Sequence, residues 1–124
     1  MRLAWFTPWP PQRTGVASRS AELVPTLAAR GPGVDVFVDD RVVPVRRAGD
    51  APPAAGEIRV QSAHDFVWRA ARDQYDLVVY QIGNSSAHAF IWPYLTRWPG
   101  LTLFHDLRLH HARGRLAARR GDKA

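Results

Sequence analysis

The chain of 124 residues carries a formal net charge of +6, and 46% of its residues are hydrophobic. That length fits one domain with a real core and is small for a complete two-lobed enzyme, while the hydrophobic share excludes disorder outside the C-terminal tail. With no cysteine, disulfides and thiolate metal sites are excluded, and no apolar run approaches the roughly 20 residues that cross a bilayer.

The N-terminus reads as a strand with an early loop and not as a signal peptide, so the expected compartment is the cytoplasm. A basic chain invites nucleic acid or an anionic membrane face as a partner. Here the charge comes from sixteen arginines and a single lysine, Lys123, among many alanines and prolines. That pattern is as well explained by coding bias, and no nucleic-acid partner is expected.

Arg2 to Phe6 (RLAWF) is short, apolar and partly aromatic, as a buried central strand requires. Thr7 to Gly15 (TPWPPQRTG) follows as a loop stiffened by prolines at 8, 10 and 11, which end any strand or helix. From Val16, the residues Leu23, Val24, Leu27 and Ala28 recur at helical spacing, with Ser18 or Ser20 as caps and Pro25 as an interruption expected to bend the helix. Arg30-Gly31-Pro32-Gly33 is a stop signal.

Val34 to Val38 (VDVFV) is the second strand, closed by Asp39-Asp40. Arg41 to Gly56 is rich in proline, glycine and alanine and reads as a surface connection with room for a short edge strand; Glu57 to Val60 is a further strand. Ser62-x-x-Asp65 has the form of a capping box ahead of a helix that runs to about Gln74. Asp76 to Ile82 (DLVVYQI) is the strongest strand, leading into Gly83-Asn84-Ser85-Ser86. Ser86 caps the next helix, in which Phe90, Ile91, Tyr94, Leu95 and Trp98 form one face, with Pro93 inside it and Trp98-Pro99-Gly100 ending it. Leu101 to Phe104 is the last strand, followed by His105-Asp106 and a basic tail. Residues 113–124 are expected to be disordered or cut short.

Strands alternate with helices throughout, which predicts one α/β domain: a doubly wound, Rossmann-like, mostly parallel sheet with helices on both faces and right-handed crossovers. Ligands bind such sheets beyond the carboxyl ends of the strands. The distinctive polar residues fall there: Thr7 to Gly15, Asp39-Asp40, Gln81 to Ser86, and His105-Asp106. Four segments are expected to converge on one crevice.

Each has a plain alternative. Gly15 is either a turn glycine or a small residue that lets a phosphate reach a helix N-terminus, and no G-x-G-x-x-G accompanies it. Asp39 has the place of a ribose ligand but reads better as a solvated strand end. Gly83 to Ser86 is either a capped turn or a site loop. His105, beside Asp106, is suited to hydrogen-bonding a substrate hydroxyl or stabilising charge, while Asp106 has a capping role as its alternative. No metal is expected, because His110 and His111 are adjacent and no H-E-x-x-H occurs. A serine hydrolase lacks its G-x-S-x-G elbow.

Together, RLAWFTPWPPQRTGVASRSAELVPTLA, DVFVDD, DLVVYQIGNSSAHAFIWPYLTRWPG and LTLFHDLRLHH resemble the N-terminal half of GT-B glycosyltransferases of the family 4 type. The resemblance implies a lobe that holds the acceptor while a C-terminal lobe binds the nucleotide sugar, with transfer in the cleft and retention of anomeric configuration. It implies that His105 is the catalytic-site histidine contacting the transferred sugar. Thr14 and Gly15 then belong to the loop near donor phosphates and acceptor, and Asn84 to the loop that lines the acceptor side; Asp106, read from its place beside His105, completes the substrate-binding set. Where the family often has two adjacent glycines, Thr14 precedes Gly15. The donor-binding lobe, with its basic residues and paired glutamates, is missing from these residues, so no transfer by this chain alone is expected.

The nucleotide-sugar donor is a co-substrate and no cofactor is implied. Implied partners are a sugar or lipid-linked acceptor and the missing C-terminal lobe, with peripheral contact to the inner membrane face compatible. The competing expectation is a non-catalytic flavodoxin-like module that binds a small phosphorylated ligand. A basic membrane- or nucleic-acid-associated domain, using the arginine tail with Trp9 or Trp98, is a third.

Overall fold

A computed structural model describes residues 1–73, 75–83 and 85–104. Five strands form one all-parallel sheet: β1 (Arg2–Phe6), β2 (Gly33–Val38), β3 (Ile58–Ser62), β4 (Leu77–Ile82) and β5 (Leu101–Phe104). Their order is β3-β2-β1-β4-β5, so the sheet is Rossmann-like, as the alternating pattern predicts. Apolar runs buried on both faces are what such strands require, and β2 is buried at all six positions.

The strands' two-residue period sorts the core into two layers. On one face Leu3, Trp5, Val34, Val36 and Val79 pack under α1 (Gly15–Ala28), which contributes Val24 and Ala28. On the other, Phe6 and Tyr80 meet Phe66 of α2 (Phe66–Asp73) and Tyr94 of α3 (Trp92–Leu95). Phe6 is the hub there, with ring centroids of Phe37, Phe66, Tyr80 and Tyr94 at 5.2, 4.9, 5.1 and 5.0 Å. Edge-to-face and offset pairs of this kind add roughly 0.5–1.5 kcal/mol each beyond area burial.

Several sequence expectations shift. The cap of α1 is Thr14, whose hydroxyl accepts from the Ala17 amide at 3.0 Å; Ser20 is buried within the helix instead. The helix continues through Pro25 to the Ala29 cap. Residues 39–57 contain neither the short edge strand nor a helix, because prolines at 44, 52 and 53 forbid regular hydrogen bonding. This crossover instead buries Val43 against the α1 layer. Its far end passes so close to Gly33 that a Cβ there would lie 2.5 Å from the Ala54 carbonyl oxygen.

Beyond β4, Ser85 rather than Ser86 provides the cap, and a 3-10 segment (Ser86–Ile91) precedes α3. That places Pro93 in the first turn of α3, where its missing N–H is harmless. The Ser62 hydroxyl accepts from the His64 amide, starting a 3-10 turn (Ala63–Asp65) that leads into α2. Among the described residues, no helix is long and apolar enough to cross a membrane.

Candidate functional site

Because β2 and β3 extend the sheet on one side of β1 and the chain then crosses to β4 on its other side, the sheet has its topological switch point between β1 and β4. The loop 7–14 lies beside that point and is tied to β4 by a directed chain of hydrogen bonds. The Gln81 amide donates to Ser20 Oγ at 2.9 Å, Ser20 and Thr7 hydroxyls share a 2.7 Å contact, and Thr7 Oγ1 donates to the Pro8 carbonyl at 2.8 Å. Since the Thr7 proton goes to Pro8, the Ser20 proton goes to Thr7, and all donors point one way. The loop closes on itself as Gln12 donates its amide to the Trp9 carbonyl and accepts from the Trp9 amide.

Thr14 and Gly15 lie side by side where this loop enters α1. Thr14 spends its hydroxyl on the cap, and a Cβ placed on Gly15 would meet open space, on a backbone with no left-handed φ. Neither torsion nor crowding therefore requires glycine at 15. Asn84, His105 and Asp106 lie outside the described residues.

Sequence reasoning missed His88, which sits at the same edge. The ring is buried, its Nδ1 lies 2.7 Å from the Gln81 carbonyl, and Nε2 would be 2.7 Å from a Cβ at Gly83. A carbonyl only accepts, so Nδ1 carries the proton and donates. His88 thus fixes the turn that leaves β4, and only glycine fits at 83 without displacing it.

The second part of the edge is a cavity of about 380 Å³ between the ends of β2 and β3 and the segment carrying α3. Its apolar walls are Phe90, Pro93 and Tyr94, with Val38 and Ala63 beneath; its polar groups are Asp39, Asp40, Arg41 and His64. The volume lies in the range of small-molecule sites, about 300–1,000 Å³. Thr14 and Gly15 do not line it, so the two parts of the edge are separate groups of residues.

Asp39 is not a solvated strand end: its side chain is 14% exposed and accepts from Arg41 Nε and Nη2, both at 2.9 Å. The Arg41 hydrogen bonds hold its carboxyl below the usual carboxylate range, against the opposing effect of burial. Asp40 accepts from the Ser62 hydroxyl at 2.9 Å and has His64 Nε2 at 3.8 Å. Burial first, and then the charges of Asp40 and Asp65, push the Tyr94 phenol up, so Tyr94 stays neutral and keeps its O–H. Carboxylate acceptors, a phenol donor and aromatic surface therefore face one space. The sequence hid this because Phe90 and Tyr94 read as one apolar helix face; the polar pair directly after β2 was the available signal.

Among the described residues, no group of three or more His, Cys, Asp or Glu side chains gathers as a metal site would. Comparisons of the chain with protein-family models, with curated proteins and with solved structures find no match.

Proposed function

We propose that this chain is the acceptor-side lobe of a retaining GT-B glycosyltransferase, acting with a donor-binding lobe that grips the nucleotide sugar. One observation carries the reading: at the carboxyl edge of a doubly wound sheet, where such folds bind ligands, a cavity combines carboxylates with aromatic walls. That combination suits hydroxyl-rich acceptors, because carboxylates accept from hydroxyls while rings cover the C–H face. The motif resemblance supports the same assignment and gives His105 the contact to the transferred sugar, with Thr14, Gly15, Asn84 and Asp106 around it.

On this reading the two lobes divide the chemistry. The nucleotide phosphates are held chiefly from the opposite lobe, which explains why the β1–α1 loop manages with Gly15 alone. The polar chain from Gln81 through Ser20 to Thr7 holds that loop as one wall of the interlobe cleft. A lipid-linked acceptor would bring the lobe to a membrane surface from the cytoplasmic side.

The test joins the full chain to the donor lobe of a family 4 enzyme and measures transfer to a panel of sugar acceptors. Transfer with retention is expected from the fusion, none from the chain alone, and Gly15→Trp should abolish it while circular dichroism stays unchanged, since space at 15 is open. Turnover by the isolated chain overturns the reading. Tight nucleotide or sugar-phosphate binding by the isolated chain, without transfer by the fusion, overturns it in favour of the phosphoryl-binding module.

A further inference from the structure

We propose that the cavity at the ends of β2 and β3 binds an uncharged polyhydroxylated ring through a vicinal diol, with Asp40 as the accepting carboxylate and Phe90 and Tyr94 as the stacking wall. As the acceptor subsite this deepens the transferase reading and rests on it, but the binding itself is measured separately.

The charges around the cavity favour a neutral ligand over an anion. Asp39 and Arg41 neutralise each other in a two-point pair through Nε and Nη2. Asp40 adds a negative charge, and its nearest basic neighbour on the lining is His64 at 3.8 Å. A phosphate placed here would meet the Asp40 carboxylate and would share the Arg41 guanidinium with Asp39, drawing only on the N–H groups that the pair leaves over. An uncharged diol has no such conflict. Its two hydroxyls donate to carboxylate oxygens, which have about four lone-pair directions to offer, and Ser62 occupies one of them.

The walls set the shape of the ligand. Phe90, Pro93 and Tyr94 are carried by a 3-10 segment and the first turn of α3, and Tyr94 is clamped by ring contacts to Phe6 at 5.0 Å and Trp98 at 6.2 Å. A fixed aromatic surface facing carboxylates selects a ring with one C–H face and one hydroxyl edge. An extended chain alcohol gains little from it. The Tyr94 phenol, kept neutral, can donate to a ring or hydroxyl oxygen that the carboxylates cannot serve.

The same diol chemistry has two sources, a sugar or cyclitol ring and the ribose of a nucleoside. Isotope-labelled full chain is titrated with methyl α-glucopyranoside, a cyclitol, adenosine and glucose 1-phosphate, following the Phe90, Tyr94 and His64 signals. The glycoside or the cyclitol should shift all three with a Kd of about 1 mM, an affinity worth about 4 kcal/mol. Asp40→Asn and Phe90→Ala should each weaken this at least tenfold, with unchanged circular dichroism reporting an intact fold. Adenosine acting alone would assign the diol to a nucleoside and overturn the acceptor assignment. Equal or tighter binding of glucose 1-phosphate, or no shift with any polyol, would overturn the proposal. If the glycoside binds but the lobe fusion never transfers, the transferase reading fails and the site stands; if the fusion transfers with an unchanged KM in Asp40→Asn, the site fails and the reading stands.

Discussion

Asp35 and Asp40 lie five positions apart, one inside β2 and one just beyond it, and the protein treats them in opposite ways. Asp35 is fully buried and accepts from Arg59 Nε at 2.7 Å, Arg59 Nη2 at 2.9 Å and the Tyr75 hydroxyl at 2.6 Å. Its hydrogen bonds raise the Arg59 pKa further, and Arg59 in turn donates to the Ala51 carbonyl, tying the crossover to the sheet. Asp40, among the described residues, receives one side-chain hydroxyl and opens onto a cavity. A carboxylate whose partners are all internal is structural; one with capacity left over, at the ligand-binding edge, is available for recognition.

The largest test of that contrast is to remove each carboxylate in turn. Asp35→Ala should lose about 3–5 kcal/mol in urea unfolding, because it leaves the Arg59 guanidinium without its buried partner. Asp40→Asn should stay within about 0.5 kcal/mol of the parent, as expected away from buried networks. Equal losses would erase the distinction.

Tyr80 tests the interior from the pH side. Its hydroxyl donates to the Trp98 carbonyl, and burial pushes the phenol up to about 12 from 10.0. The folded state therefore holds this proton more tightly than the unfolded chain. The resulting stability is complete below pH 10, is lost progressively as pH rises to about 12, and amounts to roughly 2 kcal/mol. Alkaline unfolding at several pH values should show that loss, and Tyr80→Phe should flatten it.

Smaller effects probe groups between the two extremes. Ser20→Ala removes the middle of the chain joining Gln81 to Thr7 and should cost about 1–2 kcal/mol by thermal denaturation, since buried Gln81 and Thr7 lose a partner. Gln61 is buried with neither amide atom hydrogen-bonded among the described residues. Gln61→Met keeps the volume and drops that desolvation penalty, so a gain of about 1 kcal/mol in the same measurement is expected. A loss instead would mean that Gln61 is satisfied in solution and belongs with Asp35.

How much of this could be read from the sequence depends on how local the cause was. Strands such as VDVFV and DLVVYQI announce themselves through uninterrupted β-branched residues, and their alternation with helices pointed to the parallel sheet. Caps were less legible: Ser18, Ser20 and Ser86 had the right chemistry, but Thr14 and Ser85 had the right backbone position. The edge residues Asp39 and Asp40 could be located by strand ends alone. Their environment could not, because it depends on Phe90 and Tyr94, brought in from some fifty positions away by the crossing of α2 and β4. Gly83 looked like a turn glycine, yet its constraint comes from the His88 ring. The resemblance-based assignments to Asn84 and His105, and that of Asp106 beside it, concern residues outside the described set.

The crowding at Gly33 has a reach beyond its own strand. The crossover is a strap: it leaves β2 beside the cavity with Asp39, Asp40 and Arg41, is tied midway by Arg69 to the Ala48 and Gly49 carbonyls and by Arg59 to the Ala51 carbonyl, and returns under Gly33 at the opposite end of the strands. A single methyl at position 33 would push on the fastening farthest from the cavity while leaving every lining residue in place. Gly33→Ala is thus a mechanical handle on the cavity mouth, able to reveal whether its carboxylates are held by their own turn or by tension along the whole strap.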